Sequence, residues 1–131
     1  MNRQKQRKSV FQLIYSVNYQ GMDYKETILE EFYRQAELEE HYDYIDQTFL
    51  GVCEKWNEID AVIEPVLKNW SMKRLNAVCL AILRLAVYEV KYNPDVPDRV
   101  AVNEAIELAK EFGEADSGSF VHGVLGSIFQ K

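Results

Sequence analysis

The chain has 131 residues, of which 47% are hydrophobic and 27% charged, a balance typical of a globular protein rather than a disordered one. Its net charge is −6, and its two cysteines lie far apart, which argues against a disulfide framework or a zinc site. No apolar run approaches the roughly 18 residues that span a membrane, and no cleavable apolar segment follows the basic N-terminus. We therefore expect a cytoplasmic protein.

The charge is unevenly distributed along the chain. Residues 1–22 carry four bases and no acid, whereas residues 23–64 carry thirteen acids against three bases. Residues 65–131 are balanced, with eight of each. An acidic average argues against nucleic acid as a ligand, but salt screening confines each charge to about 10 Å, so a concentrated basic end can still bind locally.

Apolar residues recur at helical spacing through the first half of the chain and predict four helices. The first is expected from about Arg3 to Tyr19, with Gly21 as its stop. Asp23 and Glu26 suggest a capping box for the second. The apolar series of a long third helix comprises Ile45, Phe49, Val52 and Trp56. A proline predicts a break or a short separate helix near residues 57–68.

The second half of the chain predicts three further helices. The stretch from Ala77 to Tyr88 is apolar except for Arg84, as expected for a central helix enclosed on nearly all sides. Two prolines within residues 93–97 predict a loop, and a sixth helix follows from about Arg99 to Phe112. The side chains that can cap the central and the seventh helix are Ser71, Asp116 and Ser117. The pattern as a whole predicts an all-α bundle of about seven helices.

The sequence offers little chemistry for catalysis or metal binding. His41 and His122 lack metal-ligand spacing, and the chain contains no glycine-rich phosphate loop and no hydrolase or zinc-protease motif. We therefore expect no enzymatic activity, no cofactor and no metal. Arg84 needs a partner if it is buried. A structural salt bridge to Glu104 or Glu107 on another helix is the favoured interpretation, and a direct role in ligand binding is the alternative.

The bases at the N-terminus are the strongest candidates for a binding surface. They are Arg3, Lys5, Arg7 and Lys8. On one helix Arg3 and Arg7 lie one turn apart with Lys8 beside them, so the cations would form a patch suited to a phosphate backbone. Composition alone favours the alternative of a frayed, solvated tail, because short basic termini are common.

Several ordered motifs run through the chain. They are Trp70-Ser71, Arg74-Leu75, residues 82–89 (ILRLAVYE), residues 95–97 (DVP), residues 100–110 (VAVNEAIELAK) and residues 120–125 (FVHGVL). Together they resemble the signatures of the NusB family of transcription antitermination factors. Residues 3–15 are similar to the arginine-rich opening and first helix of that family. The resemblance therefore covers nearly the whole chain.

This resemblance implies a fold of seven helices in two small helical subdomains that share one core, here about residues 1–68 and 69–131. It implies an RNA-binding adaptor without a cofactor that binds boxA, a single-stranded RNA element of ribosomal RNA leaders. Binding occurs together with NusE, a ribosomal protein of the small subunit. The complex then joins other Nus factors on RNA polymerase and makes elongation resistant to termination. Both monomers and homodimers fit the family, so the oligomeric state stays open.

The resemblance also assigns roles to particular residues. The arm that would contact the RNA backbone comprises Arg3, Lys5, Arg7 and Lys8. Asp116, Ser117 and Phe120 match a region near the RNA path, where the Phe120 ring either stacks on a base or packs in the core. Tyr15 and the central-helix face at Cys79 match the surface that meets NusE. Cysteine, leucine and alanine replace the usual charged residues on that face, so an apolar contact is expected there.

Two alternative hypotheses remain open. In the first, the chain is a helical protein-interaction module whose basic arm never touches RNA, and reversing the charges of the arm would leave partner affinity intact. In the second, it is a stand-alone relative of the N-terminal domain of certain ribosomal RNA cytosine methyltransferases. The sequence reaches Lys131 without a methyl-donor domain, so an enzymatic role would require the chain to be a fragment.

Overall fold

The computed structural model describes residues 1–67 and 75–129, and within them all regular structure is helical. The α-helices are α1 (Arg3–Gln20), α2 (Lys25–Gln35), α3 (Asp43–Glu54), α4 (Trp56–Ile63), α5 (Ala77–Tyr92), α6 (Asp98–Phe112) and α7 (Ser117–Ile128). Short 3-10 turns occupy Met22–Tyr24 and Glu64–Val66. The prediction of an all-α bundle with seven helices is thus confirmed for these residues. None of these helices is both long enough and apolar enough to cross a membrane.

The centre of the bundle is α5. All residues from Cys79 to Val87 are buried, and the helix packs against α1, α3, α4, α6 and α7. A helix that meets neighbours in every direction is apolar all round, which is why the continuous apolar run predicted its position correctly. Two charged residues of α5, Arg84 and Glu89, are nevertheless buried with it.

The C-terminus of α1 agrees with the sequence prediction, whereas the N-terminus of α2 does not. Gly21 ends α1 with a φ of 108°, a conformation that favours glycine, so the predicted stop is confirmed. The capping box expected at Asp23 and Glu26 is wrong. Asp23 lies in the 3-10 turn, and Tyr24 occupies the N-cap position of α2, where the described residues contain no capping side-chain hydrogen bond.

The predicted interruption of the third helix is present, but it lies earlier than the proline suggests. Lys55 separates α3 from α4 with a φ of −97° and a ψ of 14°, outside the helical range. Pro65 follows within the Glu64–Val66 turn, near the start of a short helix, where its missing N–H is tolerated.

The start of α5 is capped by Asn76, whose side chain accepts hydrogen bonds from the amides of Val78 and Cys79 at 2.8 and 3.4 Å. Ser71, the cap expected from the sequence, lies outside the described residues.

One close approach between helices depends on glycine. Gly51 of α3 faces Tyr88 of α5, and a Cβ at position 51 would overlap both the ring and the hydroxyl of Tyr88. The absence of a side chain at Gly51 therefore leaves room for the Tyr88 ring to lie against α3.

Candidate nucleic-acid interface

The first turn of α1 is fixed by its own hydrogen bonds. Asn2 Oδ1 accepts from the amide of Lys5 at 2.8 Å, and Gln6 Nε2 donates to the carbonyl of Met1 at 3.0 Å. Helix begins at Arg3, so the basic segment is an ordered helical surface and not a frayed tail.

Arg7 does not belong to that surface, which corrects its expected role as a contact for the RNA backbone. Its side chain is 5% exposed, and its Nε and Nη2 donate to the two carboxylate oxygens of Glu89 at 2.9 and 3.1 Å. Tyr44 Oη donates to the same carboxylate at 2.8 Å. Arg7 lies one turn before Val10 and Phe11 on the buried stripe of α1, so it turns towards the core.

Arg7 stays charged inside this buried network. Burial alone lowers the pKa of Arg7, but the hydrogen bonds and the charge of Glu89 outweigh that effect, and the pKa is raised. Burial, followed by the charge of Glu89, raises the pKa of Tyr44, so its hydroxyl stays protonated and continues to donate. Within residues 1–67 and 75–129, no buried side-chain nitrogen or oxygen lacks a hydrogen-bond partner. The pair is therefore fully satisfied, as a buried salt bridge must be.

The other three bases of the arm are Arg3, Lys5 and Lys8. They remain accessible to solvent, and we call them the basic surface. The Arg3 guanidinium carbon lies 4.1 Å from the ring centroid of Tyr44, an arrangement that orients the exposed charge. Lys5 is exposed on the same turn. Lys8 Nζ lies 3.0 Å from Glu111 Oε2 of α6, and both side chains are substantially exposed. Such exposed pairs are weak, so a phosphate can compete for Lys8.

One side of the basic surface is acidic. Gln4 and Lys8 line a groove of about 410 Å³ with three carboxylates of α6, which are Glu104, Glu107 and Glu111. The three carboxylates outnumber Lys8 and Lys110 in this groove and repel phosphate, so an RNA backbone is favoured at Arg3, which lies over Tyr44 of α3. Glu104 is half-buried here and raises the pKa of Arg7 through its charge. It is not the partner of Arg84.

Arg84 has a different partner from either of those expected. Its Nε and Nη2 donate to both carboxylate oxygens of Asp60 at 2.8 and 2.9 Å, and its Nη1 donates to Asn18 Oδ1 at 2.9 Å. The guanidinium carbon also lies 3.9 Å from the ring centroid of Trp56. The prediction of a salt bridge to another helix is therefore right, but the assignment to Glu104 or Glu107 is wrong. Trp56 and Asp60 are one turn apart on α4, where both can reach one guanidinium.

The corner between α6 and α7 carries the second group of candidate residues. Ser117 is buried, and its Oγ accepts a hydrogen bond from the amide of Glu114 at 2.8 Å. Asp116 occupies the N-cap position of α7, but the described residues include no hydrogen bond from a capping side chain there, so the expected cap is wrong. Phe120 is half-buried and packs against the core. The exposed carboxylates of Glu114 and Asp116 disfavour phosphate at this helix end.

The corner and the basic surface are neighbours in space. Phe112, the last residue of α6, packs against Phe11 of α1 with ring centroids 5.1 Å apart. Lys8 reaches across to Glu111 on the same turn of α6. An extended ligand that reaches from the first turn of α1 to Lys8 therefore has the corner beside it.

Residues 4–130 match the family model described as the NusB family. The chain belongs to the NusB family. A relative from Listeria innocua, the transcription antitermination protein NusB, is 41% identical over 128 residues, which cover 98% of this chain and 96% of the relative. A protein of the same name from Clostridium botulinum is 37% identical over 142 residues, covering 98% and 99%.

Solved structures of NusB proteins share this fold. The structure of T. maritima NusB matches with a TM-score of 0.86 at 35% sequence identity, over 98% of this chain and 90% of that one. A chain in the crystal structure of the antitermination factors NusB and NusE in complex with dsRNA matches with a TM-score of 0.86 at 25% identity, over 99% and 98%. The solution structure of Aquifex aeolicus NusB gives 0.73 at 28%, over 98% and 88%.

The two residues that the NusB resemblance assigns to a partner surface differ in exposure. Tyr15 is 38% exposed on the outer side of α1, and Tyr19, one turn further on, is 84% exposed. Cys79 is only 3% exposed, and burial raises the pKa of its thiol. The apolar surface expected at Cys79 is therefore corrected, because the thiol faces the interior of the bundle.

Glu89 and Tyr44, which complete the buried network of this NusB chain, were missed by sequence reasoning. Glu89 carried a usable signal, whereas Tyr44 did not. Glu89 lies one turn after Leu85 in a helix enclosed on all sides, so its carboxylate had to be buried and paired. Arg7 occupies the buried stripe of α1 and was the cation available to pair with it.

Proposed function

We propose that this NusB-family protein is a transcription antitermination factor, a non-enzymatic adaptor that binds RNA together with NusE. The observation that carries the proposal is the basic start of α1, where Arg3 and Lys5 are exposed on the first turn and Lys8 is partly exposed on the second. Relatives about 40% identical over nearly the full chain bear the name of this function. The matching complex of NusB and NusE with RNA supports the same two partners.

The proposed mode of RNA binding is electrostatic capture of the sugar-phosphate backbone by three cations. A guanidinium can bind a phosphate with two hydrogen bonds, and stacking on Tyr44 holds the Arg3 group in place before RNA arrives. The amino end of the α1 dipole adds positive potential to the same surface. We assign boxA, a single-stranded element, as the RNA. Backbone contacts set position, so sequence readout falls to neighbouring groups or to the partner.

The α6–α7 corner is the proposed neighbour of the RNA path. Phe120 is half-buried, so one part of its ring packs on the core and the remainder is available for stacking on a base. Asp116 is exposed and accepts hydrogen bonds from base or sugar donors rather than binding phosphate. Ser117 acts indirectly, because its hydroxyl is buried and holds the Glu114 amide.

NusE is proposed to contact the outer face of α1 around Tyr15, since that aromatic side chain is exposed and Cys79 is not. Other Nus factors and RNA polymerase would then be joined through the RNA–NusE complex, in the cytoplasm. No reaction is assigned to the chain. The described residues include no group of three or more histidine, cysteine or acidic side chains able to hold a metal ion.

The test is fluorescence anisotropy of a labelled single-stranded boxA RNA, titrated with the protein in the presence and absence of NusE. A scrambled RNA of equal length and a duplex RNA serve as comparisons. Three phosphate contacts predict a slope of about −2.1 for log affinity against log salt. Affinity should therefore fall about 18-fold between about 50 and about 200 mM salt.

Arg3→Ala and Arg99→Ala form a matched pair of variants for this test. Both remove one exposed arginine charge, but Arg99 lies at the opposite end of α6 from Glu111, about 18 Å along the helix axis. Arg3→Ala should weaken binding and reduce the salt slope by about 0.7, whereas Arg99→Ala should do neither. A slope near zero, or equal effects of the two variants, would favour a protein-interaction module that does not touch RNA.

A further inference from the structure

A buried network connects the basic surface to the core of the bundle. Arg7 is 4% exposed and Glu89 is 1% exposed, and two hydrogen bonds join them. The hydroxyl of Tyr44 donates to the same carboxylate, while its ring lies under the exposed guanidinium of Arg3. Tyr44 therefore contacts the buried pair at one end and the RNA-facing arginine at the other.

We propose that Glu89 and Tyr44 are positioning residues for RNA binding, although neither reaches the surface that would meet RNA. Through Arg7 they fix the rotation of α1 about its axis, and so the directions of Arg3, Lys5 and Lys8. This inference rests on the proposed function, because it concerns how that basic surface is held.

The geometry of the Arg7–Glu89 contact indicates that it orients α1 as well as holding it to the bundle. Arg7 is in the second turn of α1, Tyr44 is the second residue of α3, and Glu89 lies in the last turn of α5. A guanidinium fork that meets both oxygens of one carboxylate fixes angle as well as distance. The same contact sets α1 against α3, where the ring that supports Arg3 is located. Loss of the network would leave the three surface cations present but no longer arranged in advance.

Electrostatics alone predicts the opposite result, which makes the inference testable. Glu89→Gln removes a negative charge close to the basic surface, so a long-range effect of charge would strengthen RNA binding. Loss of positioning would weaken it. The direction of the change therefore separates the two explanations.

The experiment compares Glu89→Gln with Glu30→Gln by anisotropy of the same labelled single-stranded RNA, with NusE present. Glu30 is exposed on α2, so its replacement makes the same charge change away from the network. We expect Glu89→Gln to bind about ten-fold more weakly, since two or more side chains lose their fixed arrangement. The salt slope should fall from about −2.1 to about −1.4 as one phosphate contact is lost. Glu30→Gln should bind as the unmodified protein does.

Amide hydrogen exchange gives an independent measurement. In Glu89→Gln the amides of the first two turns of α1 should exchange faster, while those of α2 keep their rates. If Glu89→Gln does not fold, Tyr44→Phe tests the same inference, since it keeps the ring beneath Arg3 and removes only the hydroxyl. It should weaken RNA binding about three-fold, less than Glu89→Gln does, because the Arg7–Glu89 pair stays in place.

The outcomes separate this inference from the function on which it rests. Weaker binding by either folded variant, with a reduced salt slope, supports positioning. If the unmodified protein binds RNA and both variants bind equally well or more tightly with an unchanged slope, positioning is overturned alone. If the unmodified protein binds no RNA even with NusE, the proposed function is overturned and this inference with it.

Discussion

Arg7 and Arg84 are buried to the same degree, and each forms two hydrogen bonds to a carboxylate on another helix. Their partners differ. The side chain of Glu89 is 1% exposed, whereas that of Asp60, which binds Arg84, is 23% exposed. Water can therefore replace some of the hydrogen bonds at the Asp60 site when that pair is broken, but it cannot reach the Glu89 site. Breaking the Arg7–Glu89 pair should therefore cost more free energy of unfolding than breaking the Arg84–Asp60 pair. The first pair is enclosed, whereas the second lies at the edge of the bundle.

Removing the acid from each pair tests this difference directly. Glu89→Ala leaves Arg7 buried with an uncompensated charge and should lower the free energy of unfolding by about 3–5 kcal/mol. Asp60→Ala leaves Arg84 with Asn18, Trp56 and nearby solvent, and should cost about 1–3 kcal/mol. Urea denaturation of both variants measures the two losses. Equal losses would mean that exposure of the carboxylate does not set the strength of these pairs.

Arg84→Lys should have the next largest effect. A lysine cannot form the forked hydrogen bonds to Asp60 or stack on Trp56 as a guanidinium does, so we expect a loss of about 1–2 kcal/mol in stability. RNA affinity at a fixed temperature below unfolding should not change, because this cluster lies away from the basic surface. A drop in RNA affinity without unfolding would give Arg84 a direct part in binding, the alternative role considered for it.

Alkaline pH should lower the stability of the fold through Tyr44, which belongs to the Arg7 site. Burial and the charge of Glu89 raise the pKa of Tyr44, so the folded chain keeps this proton above pH 10 while the unfolded chain releases it. The unfolded state then binds fewer protons, and stability falls as the pH rises above the unfolded pKa of about 10. Thermal unfolding between about pH 9 and pH 11 should show this fall, and Tyr44→Phe should make it shallower. An identical decline in Tyr44→Phe would assign it to other groups.

The smallest change in stability is expected when both members of the enclosed pair are replaced together. Made together with Tyr44→Phe, which removes the hydroxyl that donates to Glu89, Arg7→Met with Glu89→Met removes two buried charges and fills the space with apolar side chains of similar length. This variant should lie within about 1 kcal/mol of Tyr44→Phe alone, far above Glu89→Ala. Denaturation curves of the single and combined variants complete the cycle. A combined variant as unstable as Glu89→Ala would mean that the pair contributes a net stabilisation that packing cannot replace.

Local patterns in the sequence were sufficient for most of the fold. Enclosure of α5 follows from its apolar run, and the left-handed conformation at Gly21 follows from glycine before a new helix. Helix caps were less predictable. The Asp23–Glu26 pair has the right spacing for a capping box, but a 3-10 turn occupies that segment instead. Short-range spacing indicates which caps a segment permits, but it does not decide which of them forms.

The candidate site was less predictable because its central contact joins distant residues. Arg7 and Glu89 are 82 positions apart, and no periodicity links them. The number of basic residues at the N-terminus correctly indicated a basic surface. It gave no information on which of the four cations is buried. Arg84 shows the same limit, since burial was inferred correctly from the helix around it and the partner was not.

Mutations of Gly51 should impair function indirectly, through a neighbouring residue. Gly51 sits two turns beyond Tyr44 on α3, beside the residue that precedes Glu89 on α5. A larger side chain there would displace the Tyr88 ring and disturb the turn of α5 from which Glu89 accepts the Tyr44 hydrogen bond. A screen for mutants with defective antitermination should therefore recover substitutions at position 51, although Gly51 lies on α3 and not among the cations of α1.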